Sequence, residues 1–292
     1  MKGAVVGWLA GALLLVASCA QAGVRVTDDR ARTIEFEQPP ARIITLLPSL
    51  TETVCELQAC ERLVGVDRFS NWPDRIAALP KLGGLDDAQL ERIVSLRPDV
   101  VLAAASARVV DRLEALGIKV LALEAKSLAD TQRVLKAVAA MLGTPHAAAA
   151  LWQRLESRVA AAASRVPLSL RGQRVYFEIA GAPYAAGEGS FIGETLARLG
   201  LRNVVPVSLG PFPKLNPEYI VRAQPDIVMA SQRNLADMPQ RPGWSELRAL
   251  REQRQCGFPA ERYEVLIRPG PRLGEAAELM ADCLAALDGV AR

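Results

Sequence analysis

The residues able to carry covalent chemistry are few and scattered. His146 is the only histidine, and its Ala-rich helical surroundings read as protein surface. A Ser-His or Cys-His catalytic arrangement is therefore poorly supported. Gly187-Glu188-Gly189-Ser190 begins like a nucleophile elbow, but residue 192 is isoleucine where a glycine is needed. No P-loop or G-x-G-x-x-G run occurs. With one histidine and no C-x-x-C, a zinc or manganese cluster is not expected, nor is any other protein-held metal. An exported hydrolase is the reading of a different class, and these residues fail to support it. The chain reads as a non-enzyme without a cofactor.

What remains chemically distinctive is sulfur and a duplicated carboxylate. Of the cysteines, Cys19 falls in an apolar leader, leaving Cys55, Cys60, Cys256 and Cys283. An even number in an exported chain favours disulfides. Cys55 with Cys60 would close a local loop, and Cys256 with Cys283 would staple the last strand region to the final helix. The carboxylates are Glu91 and Glu218. Each opens a copy of one internal repeat, Glu91-Arg-Ile-Val-Ser-Leu-Arg-Pro-Asp-Val-Val-Leu-Ala103 and Glu218-Tyr-Ile-Val-Arg-Ala-Gln-Pro-Asp-Ile-Val-Met-Ala230. Each copy predicts a short helix, a Pro-Asp turn and a buried strand of β-branched residues.

Two copies imply two lobes, and the surrounding elements agree. The 292 residues suffice for lobes of about 110–130 residues each. Strands are predicted at 42–47, 63–66, 99–104 and 118–123, alternating with helices near 51, 90–96 and 109–116. The alternation restarts with strands at 174–179 and 226–230 and helices at 191–199 and 219–223. Such βαβ runs give an α/β fold of two lobes with mostly parallel sheets. Between them, 127–142 and 145–165 carry helix-forming residues only. Pro145 suits a first helical turn, and Pro167 with Gly172 ends the run. This organisation assigns 23–143 to an N-terminal lobe, 144–168 to an interlobe helix and 169–292 to a C-terminal lobe.

Residues 1–22 read as a signal peptide, with Lys2, an uncharged run from Ala4 to Ala17, and Ala20-Gln21-Ala22 for cleavage. A rival site, Val16-Ala17-Ser18-Cys19, would leave a lipidated Cys19. Both place the protein in the periplasm. The net charge of +3, without a basic run, gives no reason to expect nucleic acid.

The chain resembles the helical-backbone periplasmic binding proteins that serve ABC importers for cobalamin, ferric siderophores and haem. The similarity covers nearly the whole mature chain. It is carried by Arg42-Ile-Ile-Thr-Leu-Leu-Pro-Ser-Leu-Thr-Glu52, Leu63-Val-Gly-Val-Asp-Arg-Phe-Ser-Asn-Trp-Pro73, Gly83-Gly84 and Leu90-Glu-Arg-Ile93. The vitamin B12-binding members look most similar. The resemblance implies a monomer that captures a corrinoid, with cobalamin as transported ligand, and delivers it to an inner-membrane permease dimer. It implies docking through Glu91 and Glu218. It implies ligand contacts from Phe69, Phe212 and the stretch Glu264, Val265, Leu266, Ile267 and Arg268. Departures exist: no tryptophan stands near Gly83-Gly84, and Leu199 replaces a relative's cysteine, making Cys256 the substitute partner of Cys283. The alternative within this fold is a ferric siderophore, drawn by Arg268 and Arg272, or haem, for which Tyr184 and Tyr263 could be offered.

Overall fold

The structure, a computed structural model, describes residues 23–181 and 183–290; the leader at 1–22, with Cys19, lies outside them. A two-stranded antiparallel ribbon opens the chain, β1 (Val24–Thr27) with β2 (Thr33–Phe36). The N-terminal lobe then runs β3 (Ile43–Thr45), α1 (Pro48–Glu56), β4 (Leu63–Val66), α2 (Leu90–Ser95), β5 (Val100–Ala103), α3 (Val109–Ala115) and β6 (Val120–Ala122). Helix α1 begins at Pro48 rather than near Thr51, because a proline is accommodated at the first helical position. Two helices follow, α4 (Leu128–Met141) and α5 (Pro145–Arg165). The C-terminal lobe contains β7 (Arg174–Ala180), β8 (Tyr184–Ala185), α6 (Phe191–Arg198), β9 (Arg202–Asn203), α7 (Pro217–Ala223), β10 (Ile227–Ser231), α8 (Gln232–Asp237), α9 (Arg248–Arg251), β11 (Gln255–Phe258), α10 (Ala260–Leu266) and α11 (Leu273–Val290).

Both lobes use one strand order. In the first, the parallel sheet reads β4-β3-β5-β6. In the second, the parallel strands read β9-β7-β10-β11, with β8 added antiparallel to β7. The internal repeat supplies the same piece of each, α2 into β5 and α7 into β10. Its register is identical: Ile43 faces Val100, and Val175 faces Ile227.

The Pro-Asp turn works the same way twice. Asp99 accepts a hydrogen bond from the Arg42 amide at 2.8 Å, and Asp226 accepts one from the Arg174 amide at 2.8 Å. Each arginine returns its guanidinium to the C-terminal carbonyls of the repeat helix, Arg42 to Leu96 and Arg97, Arg174 to Ala223 and Gln224. Those orphan carbonyls would otherwise lack partners.

The 21-residue α5 belongs to both cores. Ala148, Leu151 and Leu155 are buried with the N-terminal lobe, Val159 and Ala162 with the C-terminal lobe, and Trp152 packs against both. Their i, i+3, i+4, i+7 spacing is a single helical stripe. Helix α4 crosses the same boundary, with Leu128 in the C-terminal core and Val134, Leu135 and Val138 in the N-terminal one. The chain also joins the lobes at 126–128, where the Phe191 amide donates to the Lys126 carbonyl at 2.7 Å and the Leu128 amide to Glu194 at 2.6 Å. Gly274 lets α11 lie close on α5, since a Cβ there would meet Cβ of Arg158 at 2.7 Å.

Disulfides join Cys55 to Cys60 and Cys256 to Cys283, the latter tying β11 to α11. Among the described residues no helix is long and apolar enough to cross a membrane.

Candidate functional site

A cavity of about 460 Å³ lies between the lobes, within the roughly 300–1,000 Å³ of ordinary ligand sites. Its main wall is built from the loops that follow the four parallel strands of the N-terminal lobe. Leu47, Pro48, Ser49 and Leu50 follow β3, and Phe69 and Leu85 come from the connection after β4. Ala104 and Ser106 follow β5, and Leu123, Glu124 and Ala125 follow β6. Strand order reverses between β3 and β5, and open parallel sheets place ligands outside their carboxyl ends at such a point. Val134 of α4 adds to the wall, while Glu264, Ile267, Arg268 and Pro269 complete it from the C-terminal lobe.

Phe69 is 59% exposed, an unusual state for a large aromatic that has a core to enter. The Arg68 guanidinium lies 5.3 Å from its ring centre. Gly84 leaves room for the ring, because a Cβ there would sit 3.1 Å from Cε2 of Phe69. A buried polar chain holds the loop beneath. Asp67 accepts the Phe69 amide at 2.8 Å and the Ser70 hydroxyl. The Ser70 and Thr51 hydroxyls then pair at 2.7 Å, and those of Thr51 and Thr45 at 2.6 Å. Burial pushes the Asp67 carboxyl up from its ordinary range, against the opposing pull of the Ser70 and Phe69 hydrogen bonds.

The end of α10 sorts the stretch 264–268. Glu264 lines the cavity from the last turn of the helix, and Ile267 and Arg268 line it from the chain just beyond Leu266, where the helix ends. Val265 and Leu266 turn away and are buried in the C-terminal core, which corrects their expected place among ligand contacts. Phe212 likewise does not line this cavity. It packs half-buried against that core, its ring centre 5.8 Å from that of Phe191.

Arg268 reaches the cavity but is not aimed at an open space. Only 7% exposed, it crosses to the other lobe. Nη1 donates to Glu52 Oε1 and to Asn71 Oδ1, each at 2.9 Å, and Nη2 donates to the Phe69 carbonyl at 3.1 Å. Nη2 also donates to Glu264 at 2.7 Å, and Asn71 donates to the same Glu264 oxygen at 2.7 Å. Glu52, on α1, is 1% exposed, and its second oxygen has no partner among the described residues. Burial pushes the Glu52 carboxyl up, while the Arg268 hydrogen bond and charge, and then the Arg272 charge, pull it down. Arg272 lies over the Trp72 ring at 5.0 Å and forms a two-pronged pair with Glu275 at 2.7 and 2.8 Å.

Glu91 and Glu218 lie elsewhere. Each is exposed in the first turn of its repeat helix, α2 or α7, and neither carboxylate has a partner among the described residues. The tyrosines offered for haem are not in the cavity wall. Tyr263 is buried and donates its hydroxyl to the Glu178 carbonyl at 2.6 Å, and Tyr184 belongs to β8.

Two α/β lobes thus flank one cavity. Residues 43–260 match the periplasmic binding protein family, and the chain belongs to it. An uncharacterized ABC transporter substrate-binding lipoprotein of Bacillus subtilis is 25% identical over 272 residues, covering 89% of this chain and 85% of that one. The cobalamin-binding protein of Halobacterium salinarum is 32% identical over 210 residues, 69% of this chain but 57% of that relative. The solved periplasmic heme-binding protein BhuT, in complex with two hemes, is 29% identical with a TM-score of 0.71, over 84% of this chain and 98% of that one.

Proposed function

We propose that this protein is the extracytoplasmic substrate-binding component of an ABC importer and that its ligand is cobalamin or a related corrinoid. The observation that carries the ligand reading is the wall of the cavity. It is mostly apolar, it presents the exposed face of Phe69, and its few polar groups are Ser49, Ser106, Glu124, Glu264 and Arg268. A ligand with a broad ring face for the aromatic and apolar wall, and peripheral amides for the few polar groups, suits such a cavity. The similarity to a cobalamin-binding relative agrees with it.

Haem is the second reading, favoured by the likeness to BhuT. Haem held by an axial tyrosine or histidine needs such a residue at the cavity, and among the described residues none lines it. A titration of the mature protein with cyanocobalamin, cobinamide, haemin and a ferric siderophore separates the readings. Submicromolar binding of a corrinoid alone is the expected result. Tight binding of haemin or the siderophore instead overturns the corrinoid assignment and leaves the transport role standing.

Delivery would use Glu91 and Glu218. They are exposed, without a partner among the described residues, and stand at matching points of the repeat in the two lobes, where an importer of two permease subunits could be met by one carboxylate each. Such rim charges steer and register docking more than they add affinity. Reversing both to lysine is expected to abolish uptake in cells while ligand affinity stays unchanged. Unimpaired uptake removes the docking role.

A further inference from the structure

Arg268 was expected to bond the ligand, and the structure gives its guanidinium protein partners on both lobes. Two bonds go to side chains of the opposite lobe, Glu52 and Asn71, one to the backbone carbonyl of Phe69, and a fourth to Glu264 of its own lobe. That carbonyl belongs to the loop whose side chain forms the aromatic wall. We infer that Arg268 is a positioning residue: from the C-terminal lobe it fixes the 67–71 loop of the N-terminal lobe, so that the wall presented by Phe69 is complete only while the lobes are apposed. The inference rests on the cavity being the ligand site.

Three observations converge on it. The guanidinium is nearly buried, so its bonds, each made by a charged donor, form in a low dielectric that strengthens them. Asn71 is held from both sides, accepting from Arg268 and donating to Glu264 at 2.7 Å, and therefore follows the C-terminal lobe. The close approach of the lobes continues at Gly270, where a Cβ would lie 3.4 Å from Cβ of Ser49. Within its own lobe the loop is anchored at Asp67, two residues before Phe69. Its far end is anchored twice, Ser70 to Thr51 within the lobe, and the Phe69 carbonyl and Asn71 across the cleft. Spreading the lobes withdraws Arg268 from the Phe69 carbonyl and from Asn71 in one movement. Ligand release is then coupled to lobe separation through the loop as well as through loss of contacts.

Hydrogen exchange in the ligand-free protein separates this from direct ligand contact. Arg268→Met leaves Glu52 buried without its main partner, so Glu52→Gln with Arg268→Met is measured beside it to remove that charge. In both variants the amides of residues 67–71 are expected to exchange about tenfold faster or more, as loss of charge-assisted bonds implies. The β5 amides, such as Val101, bonded to the Lys119 carbonyl, are expected to keep wild-type rates. Cyanocobalamin should bind both variants at least about tenfold more weakly. Unchanged exchange at 67–71 overturns the inference, whether binding weakens, which would make Arg268 a direct contact, or holds. If the wild type binds no corrinoid, the ligand reading fails by itself, and the exchange result still decides what Arg268 does.

Discussion

The two lobes share strand order, register and a Pro-Asp turn, but their cleft ends are finished differently. Matching Arg42 to Arg174 places Leu46 of the first lobe where the second has Glu178. Leu46 is buried among Ile44, Ala104 and Leu82, behind an apolar surface that opens into the cavity. Glu178 is fully buried, held by Arg241 through two bonds at 2.6 and 2.8 Å and by the Tyr176 hydroxyl at 2.8 Å. Arg241 in turn lies 4.6 Å from the Trp244 ring centre. One lobe leaves its strand ends as an apolar wall; the other seals them with an ion pair and reaches the cavity only through Glu264, Ile267, Arg268 and Pro269. A duplicated frame thus ends in an apolar wall in one lobe and in a buried ion pair in the other.

The sharpest way to break that contrast is to remove Arg241. Arg241→Ala leaves Glu178 as an unpaired buried charge and is expected to destabilise the protein by about 3–5 kcal/mol, read from the urea midpoint. Converting the pair to its apolar counterpart, Glu178→Leu with Arg241→Met, should recover most of that loss. If the double variant is no better than the single one, the pair is needed for more than neutralising Glu178. Disulfides offer a second contrast. The Cys256–Cys283 bridge spans 27 residues and Cys55–Cys60 spans 5. On chain entropy, replacing each pair by alanines should cost about 3.5 and about 2 kcal/mol respectively; the reverse order in thermal unfolding would show that loop length is not what decides. The two aromatics make the smallest contrast. Phe212→Ala should lower stability by about 2 kcal/mol with little change in ligand affinity. Phe69→Ala should leave stability within about 0.5 kcal/mol and weaken binding roughly tenfold. Calorimetric titration beside thermal melts checks both.

Much of this architecture is legible in the residues because it is local or repeated. The repeat predicts two lobes of one plan, the helix formers at 145–165 predict α5 to its ends, and the bridges found are the candidate pairs Cys55–Cys60 and Cys256–Cys283, the second of them implied by the resemblance. Candidate contacts are legible only in part. Taking 264–268 as a continuous contact stretch ignores that a helix turns successive side chains about 100° apart, which sends Val265 and Leu266 into the core. The strand-end residues Leu47, Ala104, Ser106 and Leu123 look like ordinary small and apolar loop residues; their position after β3, β5 and β6 is the signal that could have found them. The bonds of Arg268 leave no trace in local pattern, because Glu52 and Asn71 lie 216 and 197 residues away.

Helix α5 has a mechanical consequence. Its stripe is cemented into two cores at once, with Trp152 straddling the joint, so it behaves as a beam clamped at both ends rather than a pivot. Tilting one lobe against the other must flex that beam or drag Leu155 or Val159 out of its packing, and the restoring force grows with the displacement. Such a beam would hold the unbound protein near the apposed geometry. Capture would then need little reorganisation, and the work of prising the lobes apart would fall on whatever grips them from outside.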